Sequence, residues 1–196
     1  MAKLYFTYSA MNAGKSTMLL QSAHNYRERG MKVMLWTSGH YRKHEDNTGC
    51  ITSRIGLEAD AHLYVDDVDI FEVIAGHMTM ERLDAVFVDE AQFLTPTQVW
   101  QLSRVADHLG CPVMCFGLRT DFQGKLFPGS SELLAIADQL REVRTICHCG
   151  SKATMTARLD KSGRALTQGD QVDTEKAHYV SLCRKHWEDV TGFHTP

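Results

Sequence analysis

A chain of 196 residues that is 43% hydrophobic and 23% charged can bury a real core and form one main domain with a small appendage. Its net charge of −3 argues against a protein held chiefly by nucleic-acid phosphates or by an anionic membrane surface. No run approaches the roughly 18 apolar residues that cross a bilayer, and a strand begins within three residues of Met1, so no membrane contact, no secretory leader and a cytoplasmic location are expected.

The first apolar run, Leu4-Tyr5-Phe6-Thr7-Tyr8, predicts a strand that breaks into a loop of small residues ending in Gly14-Lys15-Ser16-Thr17. Met18, Leu19, Ala23 and Tyr26 continue at helical spacing, so a helix is expected from Lys15 to Arg29, closed by Gly30. Strand, small-residue loop and helix in that order make a phosphate-binding loop, in which backbone N–H groups and the positive helix end cradle phosphate oxygens. Ser9, Ala10, Met11, Asn12, Ala13, Gly14, Lys15 and Ser16 are therefore candidate ATP-binding residues. Lys15 would reach the transferred phosphate, and the Ser16 hydroxyl would ligate Mg²⁺. Ser9 stands where the full pattern has glycine, a residue freer to adopt a positive φ. A chance Gly-Lys-Ser at the start of an ordinary helix is the bland alternative; the strand before it and the helix after it speak against that.

Lys32 to Trp36 reads as a short buried strand, and the polar stretch from Thr37 to Arg54, with Gly39, Asn47 and Gly49, as a surface loop. Val68 to Ile74 suggests a helix. Ala85-Val86-Phe87-Val88 is a second buried strand that ends in Asp89-Glu90-Ala91-Gln92-Phe93. Thr95 and Pro96 open a helix, and Pro112 to Phe116 is a third apolar strand ending at Gly117. A helix over about Ser130 to Leu140 and a strand from Val143 to Ile146 complete the core. Buried strands alternating with helices predict an α/β fold, a P-loop-type parallel sheet flanked by helices. Ligands of such sheets gather at the carboxyl ends of strands, which here brings the segments 9–16, 89–93 and 117–127 to one side.

The acidic turn adds chemistry. Asp89 at the strand end can hold a water of the Mg²⁺ shell, and Glu90 can accept a proton from an attacking hydroxyl or water. Glu90 is thus the candidate catalytic residue, and Asp89, Glu90, Ala91 and Gln92 join the candidate ATP site. An acidic pair capping the helix at Pro96 is the structural alternative. Composition changes at Cys147, dividing a domain of residues 1–146 from a lobe of residues 147–196. Cys147, Cys149, Cys183 and His186 form a three-thiolate, one-imidazole set suited to a structural Zn²⁺ that pins a tail too small to build its own core. His148, between two of them, is a competing ligand. Cys111 and Cys115 read as buried small hydrophobes.

Taken together, Met11-Asn12-Ala13-Gly14-Lys15-Ser16-Thr17, Ser53-Arg54-Ile55-Gly56-Leu57 and Val88-Asp89-Glu90-Ala91-Gln92-Phe93 resemble the cytosolic-type, zinc-containing thymidine kinases. So do Gly117 to Phe122 with Phe127, Cys147 to Gly150, and Tyr179 to His186, and the resemblance covers nearly the whole chain. It implies ATP-dependent phosphorylation of the thymidine 5′-hydroxyl with Glu90 as general base, in pyrimidine salvage by a homotetramer. It places the thymine among Met11, Phe93, Leu118, Phe122, Phe127 and Tyr179, held by a lasso over roughly Leu159 to Tyr179. Three departures stand out. They are Ser9, the absence of an acidic residue before Arg42, and Val172 to Lys176 in place of a Gly-Gly pair. The rival readings are a single-domain P-loop ATPase acting on nucleic acid and a zinc-ribbon module that holds ATP as a structural ligand. Thymidine as small-molecule substrate, with no nucleic-acid partner, is the expectation carried forward.

Overall fold

The computed structural model describes residues 1–41, 49–171 and 178–193. Its centre is a seven-stranded sheet. β1 (Leu4–Ser9), β2 (Val33–Ser38), β4 (Glu58–Tyr64), β5 (Ala85–Val88), β6 (Val113–Leu118) and β7 (Gln139–Glu142) run parallel, and β3 (Gly49–Thr52) pairs antiparallel with β4 at one edge. The order is β3-β4-β2-β5-β6-β1-β7, which puts β1 between β6 and β7, and β5 beside β6. The loops after β1, β5 and β6 therefore open at the same end, where parallel sheets receive ligands.

Residue alternation divides the core. Val86, Val88, Val113 and Cys115 face α2 (Ile70–Met78), α3 (Pro96–Leu109) and α4 (Pro128–Ile136), packing with Ile74, Leu102 and Leu133. Ala85, Phe87 and Phe116 face α1 (Lys15–Glu28) through Leu19, Leu20 and Ala23. Strands buried on both faces read as continuous apolar runs, and that is why β1, β2, β5 and β6 were visible in the sequence. The start of α3 is also encoded locally. Thr95 accepts from the Gln98 N–H while Gln98 Oε1 accepts from the Thr95 N–H, Pro96 occupies the first turn, and Gly110 closes the helix at φ 65°. The same Gln98 amide donates to the carbonyls of Val65 and Val68, fastening α3 to the loop before α2.

Two expectations are corrected. The polar stretch 37–54 is not all loop: β2 runs on to Ser38, a 3-10 turn covers Gly39–Tyr41, and Gly49–Thr52 is a strand. Its partner β4 carries an exposed polar face, with Ala59, Ala61 and Leu63 on the other, so neither strand shows an apolar run. The second correction lies after α4. That helix ends at Ile136 rather than Leu140, and β7, not residues 143–146, is the last strand of the main sheet. Asp138 stops the helix by accepting the Leu4 N–H at 2.8 Å, and Gln139, Leu140 and Arg141 lie exposed at the sheet edge. Thr145–Ile146 instead forms β8, paired with β9 (Lys152–Ala153).

The remaining elements gather near the C-terminus. β10 (Met155–Leu159) is the middle of a three-stranded antiparallel sheet between β11 (Ala165–Leu166) and β12 (His178–Leu182), with α5 (Arg184–Thr191) packed on it. Its apolar centre is Cys147, Ala153, Ala157, Leu182 and Trp187. Leu102 is wholly buried under the main sheet, so Leu102→Ala is expected to lower unfolding stability by about 2–5 kcal/mol. The check is a lower urea midpoint at unchanged slope.

Candidate active site

β1 delivers the chain to the phosphate loop, and Lys15 begins α1. The turn is made by Asn12 at φ 62° and Gly14 at φ 82°. Asn tolerates the left-handed region better than most residues, and glycine occupies it freely. Ser9 is not strained. It is the last residue of β1, in register with Leu118, and is not among the positive-φ residues. Its hydroxyl donates to the Ala10 carbonyl at 2.7 Å and accepts from Lys15 Nζ at 3.0 Å; Nζ also donates to the Ala10 carbonyl at 3.1 Å. The residue standing where glycine was expected therefore parks the lysine. No side chain caps the N-terminus of α1, and no acidic residue lies in its first turn. Its leading N–H groups and positive dipole end are thus available to an anion.

Opposite this loop, β5 ends at Asp89, and the chain turns through Glu90 in the left-handed region at φ 53°, ψ 33° into a 3-10 turn at Ala91–Phe93. Tyr64 at the end of β4 holds that turn, its hydroxyl donating to the Glu90 carbonyl at 2.7 Å and to the Asp89 carbonyl at 3.3 Å. On the other side, Gly129 lets α4 pack against the turn: a Cβ there would lie 2.5 Å from the Ala91 carbonyl oxygen. Met11, Lys15, Ser16, Arg54, Glu90 and Leu118 line one cleft of about 370 Å³. Ala91 and Gln92, expected in the ATP site, are fully buried beneath it.

The electrostatics of this cleft favour a nucleotide with a cation. Burial lowers the Lys15 pKa, against the charges of Glu90 and Asp89, and Arg54 pushes it the same way as burial. Burial first and Glu90 second push Asp89 up to about 7, against the Ser16 hydroxyl and the Lys15 charge. Both shifts say that charge here is under-compensated. A cation at Ser16 and Asp89, with phosphate at Lys15, would supply what each group lacks, so these residues fit Mg²⁺ and a triphosphate.

The residues expected around the thymine are placed in three groups. Met11 and Leu118 line the cleft with Glu90. Phe93 and Phe127 meet edge to face with centroids 5.6 Å apart, and the His40 ring lies tilted against Phe93 at 5.0 Å. Phe122 is buried beneath Arg158, whose guanidinium lies 4.7 Å from the ring centroid, and Tyr179 pairs with Arg158 across β10 and β12. Phe93, Phe122 and Tyr179 each line a cavity other than the one that Met11 and Leu118 share. The substrate-loop departure at Val172 to Lys176, like Arg42, lies outside the described residues. Asp121 brings the near side of that loop in: its carboxylate accepts the Gln123 and Lys125 N–H groups and the Gln171 side-chain amide, each at 2.9 Å.

The sequence reading gave no site role to Tyr64, Arg54 or Arg158. Tyr64 follows an alternating run but falls on the parity of the exposed Glu58, Asp60 and His62, so the period of two gave no signal of its burial. Arg54 sits in the β3–β4 turn, where Ser53 Oγ accepts the Leu57 N–H; only its Ser-Arg-Ile-Gly setting marked it.

The C-terminal sheet grips the phosphate loop. The Met11 N–H donates to Thr156 Oγ1, Ser181 Oγ donates to the Met11 carbonyl at 2.5 Å, and Asn12 Nδ2 donates to the Tyr179 carbonyl at 3.4 Å. Beyond it, the donor atoms of Cys147, Cys149, Cys183 and His186 all lie within 4.8 Å of one another. Cys149 Sγ and Cys183 Sγ are 4.0 Å apart, and His186 Nδ1 lies 3.4 Å from Cys147 Sγ and 3.3 Å from Cys183 Sγ. Tetrahedral Zn²⁺ with the usual bond lengths sets such edges at about 3.5–3.8 Å. Hydrogen bonds from Ser151 first pull the Cys149 thiol down to about 6, toward the thiolate a metal needs. The set fits zinc, and His148, 3.7 Å from Cys147 Sγ, stands outside the group of four.

The family model described as thymidine kinase matches residues 2–187. The chain belongs to the thymidine kinase family. A family member from Mesorhizobium japonicum, named thymidine kinase, is 61% identical over 196 residues, spanning 100% of this chain and 96% of that one. Another of the same name from Ruegeria pomeroyi is 58% identical, spanning 98% and 96%. The family is one of phosphotransferases with an alcohol group as acceptor, so this chain is an enzyme of that class, and the nucleic-acid ATPase alternative is not favoured. The Pif1 helicase from Candida albicans superposes with a TM-score of 0.42 at 15% identity, covering 72% of this chain and 36% of that one, a likeness that carries no argument.

The four-ligand set yields a test. Metal analysis is expected to find one zinc per chain, Cys183→Ser is expected to lose it, and the fluorescence of Trp187, packed in the same cluster as Cys147, is expected to shift. Full zinc content in that variant would contradict the set.

Proposed function

We propose that this protein transfers the terminal phosphoryl group of ATP to the 5′-hydroxyl of thymidine, with deoxyuridine as a further acceptor, in pyrimidine salvage. The observation that supports it most is one cleft lined by Lys15, Ser16 and Glu90, a proton acceptor facing an uncapped phosphate loop.

In this reading the N–H groups from Ala13 to Ser16 and the Lys15 ammonium take the phosphate oxygens of the donor. Ser16 would hold Mg²⁺ with Asp89 on its water shell, and the ion when bound neutralises phosphate charge. Glu90 accepts the 5′-hydroxyl proton while the oxygen bonds to phosphorus and the bond to ADP breaks. Met11, Phe93, Leu118, Phe122, Phe127 and Tyr179 present apolar and aromatic walls to a flat, methyl-bearing base. We read residues 1–146 as the kinase domain and residues 147–196 as the zinc lobe carrying the substrate loop. The cytoplasmic, homotetrameric state belongs to the same reading through the family resemblance.

Incubation with ATP, Mg²⁺ and thymidine is expected to give ADP and thymidine monophosphate in equal amounts. ATP turnover indifferent to thymidine and raised by DNA would overturn the proposal. Glu90→Gln is expected to keep ATP affinity while kcat falls at least ~100-fold, the scale of a lost general base; unchanged kcat would take Glu90 out of the role.

A further inference from the structure

The proposed reaction gives no task to Gln92. Its side chain is 0% exposed, and a buried amide persists when both its ends are hydrogen-bonded. The two ends point to different partners. Oε1 accepts the Leu118 N–H at 3.0 Å, and Nε2 donates to Glu90 Oε2 at 2.5 Å. A backbone N–H can only donate, so the Leu118 contact fixes which end of the amide is oxygen and which end faces the carboxylate. Gly117 makes the room: a Cβ there would come within 2.9 Å of both Gln92 N and Gln92 Oε1. The backbone beneath the carboxylate is held separately, by the Tyr64 hydroxyl on the Glu90 carbonyl. Glu90 lines the cleft over the phosphate loop; Gln92 does not.

We infer that Gln92 is a positioning residue rather than a nucleotide contact: clamped to β6 through Leu118, its amide holds one carboxylate oxygen of Glu90 and presents the other to the acceptor hydroxyl. The role rests on Glu90 being the proton acceptor. A glutamate side chain has three rotatable bonds, and a proton acceptor displaced by about 1 Å can cost about 100-fold in rate. Fixing one oxygen from the sheet removes that freedom without placing a charge beside the carboxylate.

The test uses Gln92→Met, which keeps length and loses the donor, and Gly117→Ala, which crowds the amide without removing it. Each is made alone and together with Glu90→Gln. With ATP and thymidine, each single variant is expected to lower kcat at least ~10-fold while both KM values stay within about 2-fold. In the Glu90→Gln background the same substitutions are expected to change kcat by less than about 2-fold, because the group they position is gone. Should Gln92→Met fail to fold, Gly117→Ala carries the comparison. Effects that multiply with that of Glu90→Gln would overturn the role, as would a raised KM for ATP at unchanged kcat, which would return Gln92 to the nucleotide. Full kcat in Glu90→Gln would overturn the proton-acceptor assignment itself.

Discussion

The site depends on one backbone conformation. Glu90 is not glycine, yet it sits in the left-handed region directly after a buried strand. Holding a residue there costs on the order of 1–3 kcal/mol, and it persists only where the surroundings over-determine it. They do so from three sides. Tyr64 binds the carbonyl, Gln92 binds the carboxylate, and α4 comes close enough at Gly129 to leave no space for a Cβ. From this turn Glu90 lines the same cleft as Lys15 and Ser16.

The second constraint is charge. Lys15, Asp89 and Glu90 are brought together at the edge of an apolar core, and the shifts at Lys15 and Asp89 have burial as their first cause. Burial disfavours the charged form of each, a cost that an anionic phosphate chain with its metal would relieve. Ser9 fits this picture. Its hydroxyl gives the lysine a resting place that glycine would not provide.

Much of this was legible in the sequence because the informative strands are buried on both faces. Phe6, Leu35, Phe87 and Phe116 belong to runs that only a covered parallel sheet tolerates. The turn residues Gly14, Thr95, Pro96 and Gly110 mark where elements begin and end. The hidden parts have a common physical reason. β3, β4 and β7 lie at or next to an edge and carry exposed polar residues, so their strand character comes from pairing with neighbours. Gln92 was expected in the ATP site together with Asp89, Glu90 and Ala91, and it lies buried beneath the cleft. Its burial depends on Leu118 and Gly117, more than twenty residues on, and no local pattern carries that.

The grip of the C-terminal sheet on the phosphate loop has a consequence for biosynthesis. The three hydrogen bonds to Met11 and Asn12 span 145, 167 and 170 residues of sequence. β1 itself pairs with β6 and β7, more than a hundred residues on, and the partners that fix the tip of the loop are made later still. Closing so long a chain segment carries its entropic cost before the contacts repay it. A nascent or truncated chain ending before residue 178 would carry the Gly-Lys-Ser segment and lack β12, which holds two of the three bonds. The finished geometry of the phosphate loop therefore waits on β12.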